Sequence, residues 1–313
     1  MNLAFVFPGQ GSQSVGMLSQ LAIEYTQVQQ TFSEASDVLG YNLWDLVSNG
    51  PTEDLNQTDR TQPAMLAAGI AVWRVWQSIT GIQPSYLAGH SLGEYTALVA
   101  AGALGFTDAI KLVEQRGLFM QQAVPVGTGA MAAILGLEDA VVTAICTEAT
   151  KNGVVEAVNF NSPGQVVIAG STNAVELAIE LAKEQGAKRA LLLPVSVPSH
   201  CALMKPAAEK LAAVLENISI KMPSIPVIHN TSVTQAVNDV DIKHFLAEQL
   251  YSPVLWVQTV QWFAEQGVDT LVECGPGKVL AGLSKRIDKS IVGLPVFDPA
   301  SLNKALQALG ESE

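Results

Sequence analysis

The sequence predicts an α/β fold: a parallel central sheet with a smaller unit inserted into it. Three observations carry this. Residues 3–7 form a continuous apolar run ended by Pro8-Gly9, as expected of a strand buried on both faces. Residues 85–100 read as a short strand, a sharp turn at Gly89-His90-Ser91-Leu92-Gly93, and a helix of small residues. From residue 129 to 195 the pattern becomes short apolar strands and two helices in the order βαββαβ, the ferredoxin-like split unit.

The remaining elements follow from periodicity. Helical apolar spacing covers 28–39, 62–76 and 108–122, with Phe106-Thr107 leading into the last. In the inserted unit, 131–135, 154–159, 166–169 and 189–195 read as strands, and 138–150 and 173–185 as helices. The middle strands are joined by Asn161-Ser162-Pro163-Gly164, a turn sequence. The alternation then resumes with helices at 204–215, 242–250, 256–266 and 278–287 and strands at 226–230 and 270–273. Proline-bearing hinges at 124–125 and 194–198 bound the insertion, giving a large domain of 1–123 and 198–313 and a small domain of 124–197.

Composition excludes several classes. Of 313 residues, 49% are hydrophobic and 15% charged, so a sizeable core is expected and disorder is not. A net charge of −12 lacks the basic footprint of a nucleic-acid binder. Three widely spaced cysteines, Cys146, Cys201 and Cys274, suit a reduced, cytoplasmic chain better than a disulfide framework. The N-terminus has no positively charged leader, and no apolar run reaches the ~20 residues of a membrane span. No histidine pair has metal-ligand spacing, so no metal is expected.

Gly89-His90-Ser91-Leu92-Gly93 is a Gly-x-Ser-x-Gly sequence between strand and helix, the nucleophile elbow of an α/β-hydrolase-like domain. A serine in strained backbone crowds the positions two before and two after it, and here both are glycine. A capping serine in an ordinary turn is the simpler alternative. The loop Gly9-Gln10-Gly11-Ser12-Gln13 lies where open α/β sheets place their sites. Its third glycine, Gly16, comes too late for a dinucleotide fingerprint.

Arg116 shares a helical face with Ala109, Leu112, Val113, Phe119 and Met120. A guanidinium on an apolar stripe requires an anionic partner or must reach the surface. Spacing alone leaves open whether that partner is internal or a ligand. A nucleophilic serine needs a base. Of the four histidines, His90 is expected to point away from Ser91 across the strand, His244 lies on a surface-type helix, and His229 reads as a packed strand residue. His200, in a Pro/Ser loop at a domain boundary, is the best candidate. No acid between serine and histidine has a convincing loop context; a backbone carbonyl can orient an imidazole as well.

Phe5-Val6-Phe7-Pro8-Gly9-Gln10-Gly11-Ser12-Gln13, Gln62-Pro63-Ala64, the elbow with Glu94-Tyr95, Gln115-Arg116-Gly117, Asn161 to Gln165, Val197-Pro198-Ser199-His200 and Glu273 to Gly277 occur in that order. In this the chain resembles bacterial malonyl-CoA:acyl-carrier-protein transacylases over essentially its whole length. The resemblance implies that Ser91 takes the malonyl group as an ester and His200 is the general base. It implies an oxyanion hole from the backbone N–H groups of Gln10 and Leu92, and a carbonyl of Gln249 that holds the histidine. It further implies that Arg116 grips the malonyl carboxylate and that Gln10, Met120 and Asn161 help bind substrate. Malonyl-CoA and an acyl carrier protein would be the partners, with no cofactor and a monomeric chain. The family's carriers are acidic, so Lys285, Arg286, Lys289, Lys188 and Arg189 are expected as a local basic docking patch. A serine thioesterase or esterase, a related polyketide-type acyltransferase and a non-catalytic binding module are the alternatives.

Overall fold

The structure is a computed structural model that describes residues 2–195 and 197–310; Ser196, in the expected hinge, lies outside the described residues. Nine strands form two sheets among the described residues: β1 (Leu3–Phe7), β2 (Tyr86–Gly89), β3 (Gly129–Leu135), β4 (Val155–Ser162), β5 (Gln165–Ser171), β6 (Arg189–Leu192), β7 (Val227–Ile228), β8 (Thr270–Cys274) and β9 (Val292–Val296). The first sheet runs β7-β2-β1-β8-β9, with every pairing parallel. As its continuous apolar run requires, β1 is wholly buried at the centre. Phe5 packs edge-on against Trp73 and Trp76 of the helix Thr58–Ile79 on one face. Ala4 and Val6 meet Trp256, Val260 and Phe263 on the other.

The second sheet is antiparallel in the order β4-β5-β3-β6. That is the strand order of a ferredoxin-like unit. The helices Asp139–Ala149 and Thr172–Glu184 cover one face through Val142, Ile145, Val175 and Ala178. The opposite face carries Met131, Val158, Val167 and Ala169, packed with Cys201. Backbone ties the second sheet to the segment before the helix Trp256–Glu265: Val254 N–H donates to Val158 O at 2.8 Å, and Phe160 N–H to Val254 O at 3.1 Å.

Several elements differ from the periodicity. The helices Ser19–Glu24, Leu43–Asn49, Thr52–Leu55 and Pro299–Ala308, and strand β9, had no sequence expectation. The strand expected at 226–230 shrinks to Val227–Ile228, which frees Asn230 for side-chain work. No helix among the described residues is long and apolar enough to cross a membrane.

Register brings the functional loops together. Phe7 pairs with Gly89, so the loop after β1 and the turn after β2 leave the same end of the sheet, where α/β folds place their sites. The turn is tight enough that a Cβ on Gly89 would strike the backbone of Gly93, and one on Gly93 would strike the carbonyl of Phe7. Those obstacles are backbone and cannot swing aside. Gly89→Ala should therefore cost ~3 kcal/mol or more, the upper end for overpacking. Gly282→Ala, where nothing lies within 4 Å of the added carbon, should leave stability unchanged or raised. Urea midpoints of the two variants check this contrast.

Candidate active site

Ser91 sits at the apex of the turn with φ 52°, a left-handed conformation that a non-glycine residue adopts only under constraint. The constraint is visible. Asn230 Oδ1 accepts the Ser91 N–H at 2.7 Å while Asn230 Nδ2 donates to Gly89 O at 2.7 Å, so one amide clamps both sides of the turn. Ser91 O accepts from Gln249 Nε2 at 3.0 Å. The hydroxyl is thereby presented to His200, whose Nε2 lies 2.8 Å from Ser91 Oγ.

His200 also has positive φ, 67°, and is buried. Its Nδ1 lies 2.7 Å from Gln249 O. A carbonyl can only accept, so the proton is on Nδ1 and the Nε2 lone pair faces the serine. Burial, then the nearby Arg116 charge and His90, push the imidazole pKa down to about 3, against the hydrogen bond to Gln249. The ring is neutral, as a proton acceptor must be.

Behind the turn lies a buried polar cluster. The Glu94 carboxylate accepts from His229 Nδ1 at 2.7 Å, Asn230 N at 2.9 Å and Gln249 Nε2 at 2.9 Å. Glu94 lies in the helix Gly93–Ala100, and Gln249 ends the helix Asp239–Glu248. The cluster thus joins the elbow helix to the residue that holds His200.

Arg116, from the helix Phe106–Ala123, is only 1% exposed. Its Nη1 donates to Gln62 Oε1 at 2.8 Å and its Nη2 to Gln249 Oε1 at 2.9 Å. Nη2 is also 3.5 Å from Ser91 Oγ, while Nε is buried without a hydrogen-bond partner among the described residues. The guanidinium therefore does not reach the surface, and it forms no ion pair with an internal carboxylate among the described residues.

These groups open on a cavity of about 460 Å³ between the two sheets. Ser91, Leu92, His200, Arg116, Gln10, Met120 and Asn161 all line it, with Met131 and Val167 from the second sheet. The backbone N–H groups of Gln10 and Leu92 make no hydrogen bond to another described residue, and Leu92 precedes the first turn of the elbow helix. This leaves two donors on residues that line the cavity with Ser91, one of them, Leu92, at the positive end of the elbow helix.

His90 corrects the sequence reading. It lines the same cavity as Ser91, and its Nε2 is 2.8 Å from Asn161 Oδ1. The alternation of side chains stops at Gly89, where β2 ends, and the left-handed Ser91 reverses the chain, so strand parity does not reach residue 90. His229 is buried on Glu94, and His244 is exposed. Sequence reasoning did not assign Gln62, Glu94 or Asn230. The available signal for Glu94 was a single charge in the otherwise uncharged helix sequence Gly93–Ala100.

Comparison with known proteins identifies the family. Residues 4–296 match the acyl transferase domain. A malonyl CoA-acyl carrier protein transacylase of Haemophilus influenzae is 59% identical, over 96% of this chain and 96% of its own length. The chain belongs to the malonyl CoA-acyl carrier protein transacylase family. Two solved structures are similar over nearly the whole chain. An acyl carrier protein S-malonyltransferase from Vibrio cholerae is 61% identical, with a TM-score of 0.95 over 97% of this chain and 100% of that one. A malonyl-transacylase in complex with a type II PKS acyl-carrier protein is 56% identical, with a TM-score of 0.97 over 98% and 100%. In this transacylase, then, the elbow, the histidine and the buried arginine sit on the fold of the family.

The state of His200 is directly measurable. Nitrogen-resolved NMR of the ring should show it neutral at pH 5, with its proton on Nδ1. Its folded pKa lies below the unfolded ~6.5. Stability from this group is therefore fully present above the unfolded value and declines as pH falls toward about 3. Protonation of the folded ring with a midpoint near 6.5 would contradict the assignment.

Proposed function

We propose that this protein moves the malonyl group from malonyl-CoA to the phosphopantetheine thiol of an acyl carrier protein, through a malonyl ester on Ser91. The observation that carries the reading is the convergence on one oxygen: Ser91 Oγ lies 2.8 Å from His200 Nε2 and 3.5 Å from Arg116 Nη2. A base and a fixed cation beside one nucleophile fit a short acyl group that ends in a carboxylate. The names of the relatives point to the same substrate and acceptor.

Ser91 Oγ attacks the thioester carbonyl as its proton passes to His200 Nε2. The N–H groups of Gln10 and Leu92 receive the developing oxyanion. The imidazolium returns the proton to the departing CoA sulfur. The carrier's thiol then attacks the ester, giving its proton to His200, and Ser91 Oγ recovers a proton as it leaves. Gln249 O keeps the imidazole oriented throughout, and Met120 and Asn161 bound the acyl group. Pantetheine arrives as part of each substrate, so the reaction asks for no cofactor and no metal.

The carrier is expected on the side where Lys188 and Arg286 line one groove. Gln165 belongs to both that groove and the cavity, and Arg286 Nη1 donates to its Oε1 at 3.0 Å. Lys285, Lys289 and Arg189 extend the basic character. The division into a large domain of 1–123 and 198–313 and a small one of 124–197, a cytoplasmic setting and a monomeric state belong to the same reading.

Two experiments test it. Mixed with malonyl-CoA, the protein should gain one malonyl mass on the peptide containing Ser91, and Ser91→Ala should gain none; an adduct on Cys201 or Cys274 would refute the mechanism. Arg116→Ala should lower malonyl loading by about 10- to 100-fold, the equivalent of a charged hydrogen bond of ~1.5–3 kcal/mol at ~1.4 kcal/mol per tenfold. Acetyl loading should fall far less, so the malonyl-to-acetyl ratio is the quantity to measure.

A further inference from the structure

Gln62 has no role in the chemistry above, yet it is 1% exposed and, among the described residues, donates only to Met120 Sδ, at 3.5 Å. Its carbonyl oxygen is spent on Arg116 Nη1. The other holder of the guanidinium is also a neutral amide, Gln249. The nearest carboxylate of the buried cluster, Glu94, is kept one amide away: Gln249 Oε1 faces Arg116 while Gln249 Nε2 faces Glu94 Oε2. Glu94 is already engaged by His229 and Asn230. Beyond these amides, the guanidinium meets Ser91 Oγ at 3.5 Å and the Tyr95 ring, 5.3 Å from Cζ.

Burial of a cation ordinarily demands an internal counter-charge. Here two amides orient the fork without neutralising it, and one N–H has no hydrogen-bond partner among the described residues. An amide oxygen accepts a hydrogen bond as a carboxylate does but brings no net charge.

We propose that Gln62 is a specificity-determining residue: its neutrality keeps the Arg116 charge uncompensated, so that the substrate's carboxylate is the counter-ion the site lacks. The inference rests on the proposed malonyl reading and adds to it the residue whose lack of charge leaves the cation to the substrate. A glutamate at this position has the same size and reach. It would pair with Arg116 permanently, and an incoming carboxylate would then meet a cation already neutralised and a second anion beside it. An uncharged acyl group would suffer neither penalty.

The test is the ratio of Ser91 acylation rates with malonyl-CoA and acetyl-CoA, read by intact mass, for the unaltered protein, Gln62→Glu, Gln62→Met and Arg116→Ala. Gln62→Glu should lower the malonyl-to-acetyl ratio by about 30- to 100-fold. Gln62→Met keeps the volume and brings no charge, so its ratio should change by less than about threefold. A Gln62→Glu ratio within about threefold of the unaltered protein overturns the proposal. So does a Gln62→Met ratio that collapses as far, because Gln62 would then act only by holding the arginine in place. If Gln62→Glu does not fold, Gln62→Met decides: a preserved ratio supports the proposal and a collapsed one overturns it. The arginine variant separates the two readings. An Arg116→Ala ratio equal to the unaltered one defeats the malonyl reading itself, whereas its collapse beside an unchanged Gln62→Glu ratio defeats only the role of Gln62.

Discussion

The Glu94 carboxylate is the fixed point of this site. It is fully buried, and the groups it receives belong to residues 229, 230 and 249. Asn230 in turn clamps the strained serine, and Gln249 reaches Ser91 O, the arginine and, through its carbonyl, the imidazole. A buried carboxylate with its acceptors filled stabilises the local structure, while one left short of partners is costly. The geometry is therefore cooperative: moving one member strands the others. A backbone carbonyl orients the base, which leaves the buried acid free to organise the turn.

The arginine links binding to proton transfer in the proposed reaction. Its charge is one of the forces that hold His200 neutral, after burial itself. In that reaction a carboxylate delivered to the guanidinium would offset that force, and the imidazole would become a stronger base once the acyl group is seated. A substrate without the carboxylate would leave the base weaker. Recognition and reactivity would then be tuned by the same interaction rather than by separate devices.

What was legible in the sequence, and what was not, follows the range of the physics involved. Gly89, Ser91 and Gly93 are local: the turn they form needs no knowledge of the rest of the chain. The βαββαβ order was legible because each strand and helix carries its own period. Arg116 stood out as a charge on an apolar face, although its helical spacing could not say what faced it. His90 misled because strand parity was carried one residue beyond the strand. Strand β9 was missed because Gly293 and Pro295 interrupt its pattern, and Val292 is exposed. The Glu94 cluster joins residues up to 155 positions apart, and nothing local in Asn230 or Gln62 announces a partner.

The backbone bonds between β4 and residue 254 bear on how such proteins can be recombined. They tie Val158 and Phe160 to Val254, two positions before the helix Trp256–Glu265. Asn159 and Asn161, on the same strand, line the cavity. The inserted unit is therefore not a detachable cap that can be exchanged at its two chain crossings alone. A chimaera built by splicing there would inherit a seam at residue 254, with main-chain donors and acceptors from different parents. Compatibility across that seam, more than loop length at the splice points, would decide whether the transplanted wall of the cavity lands in register.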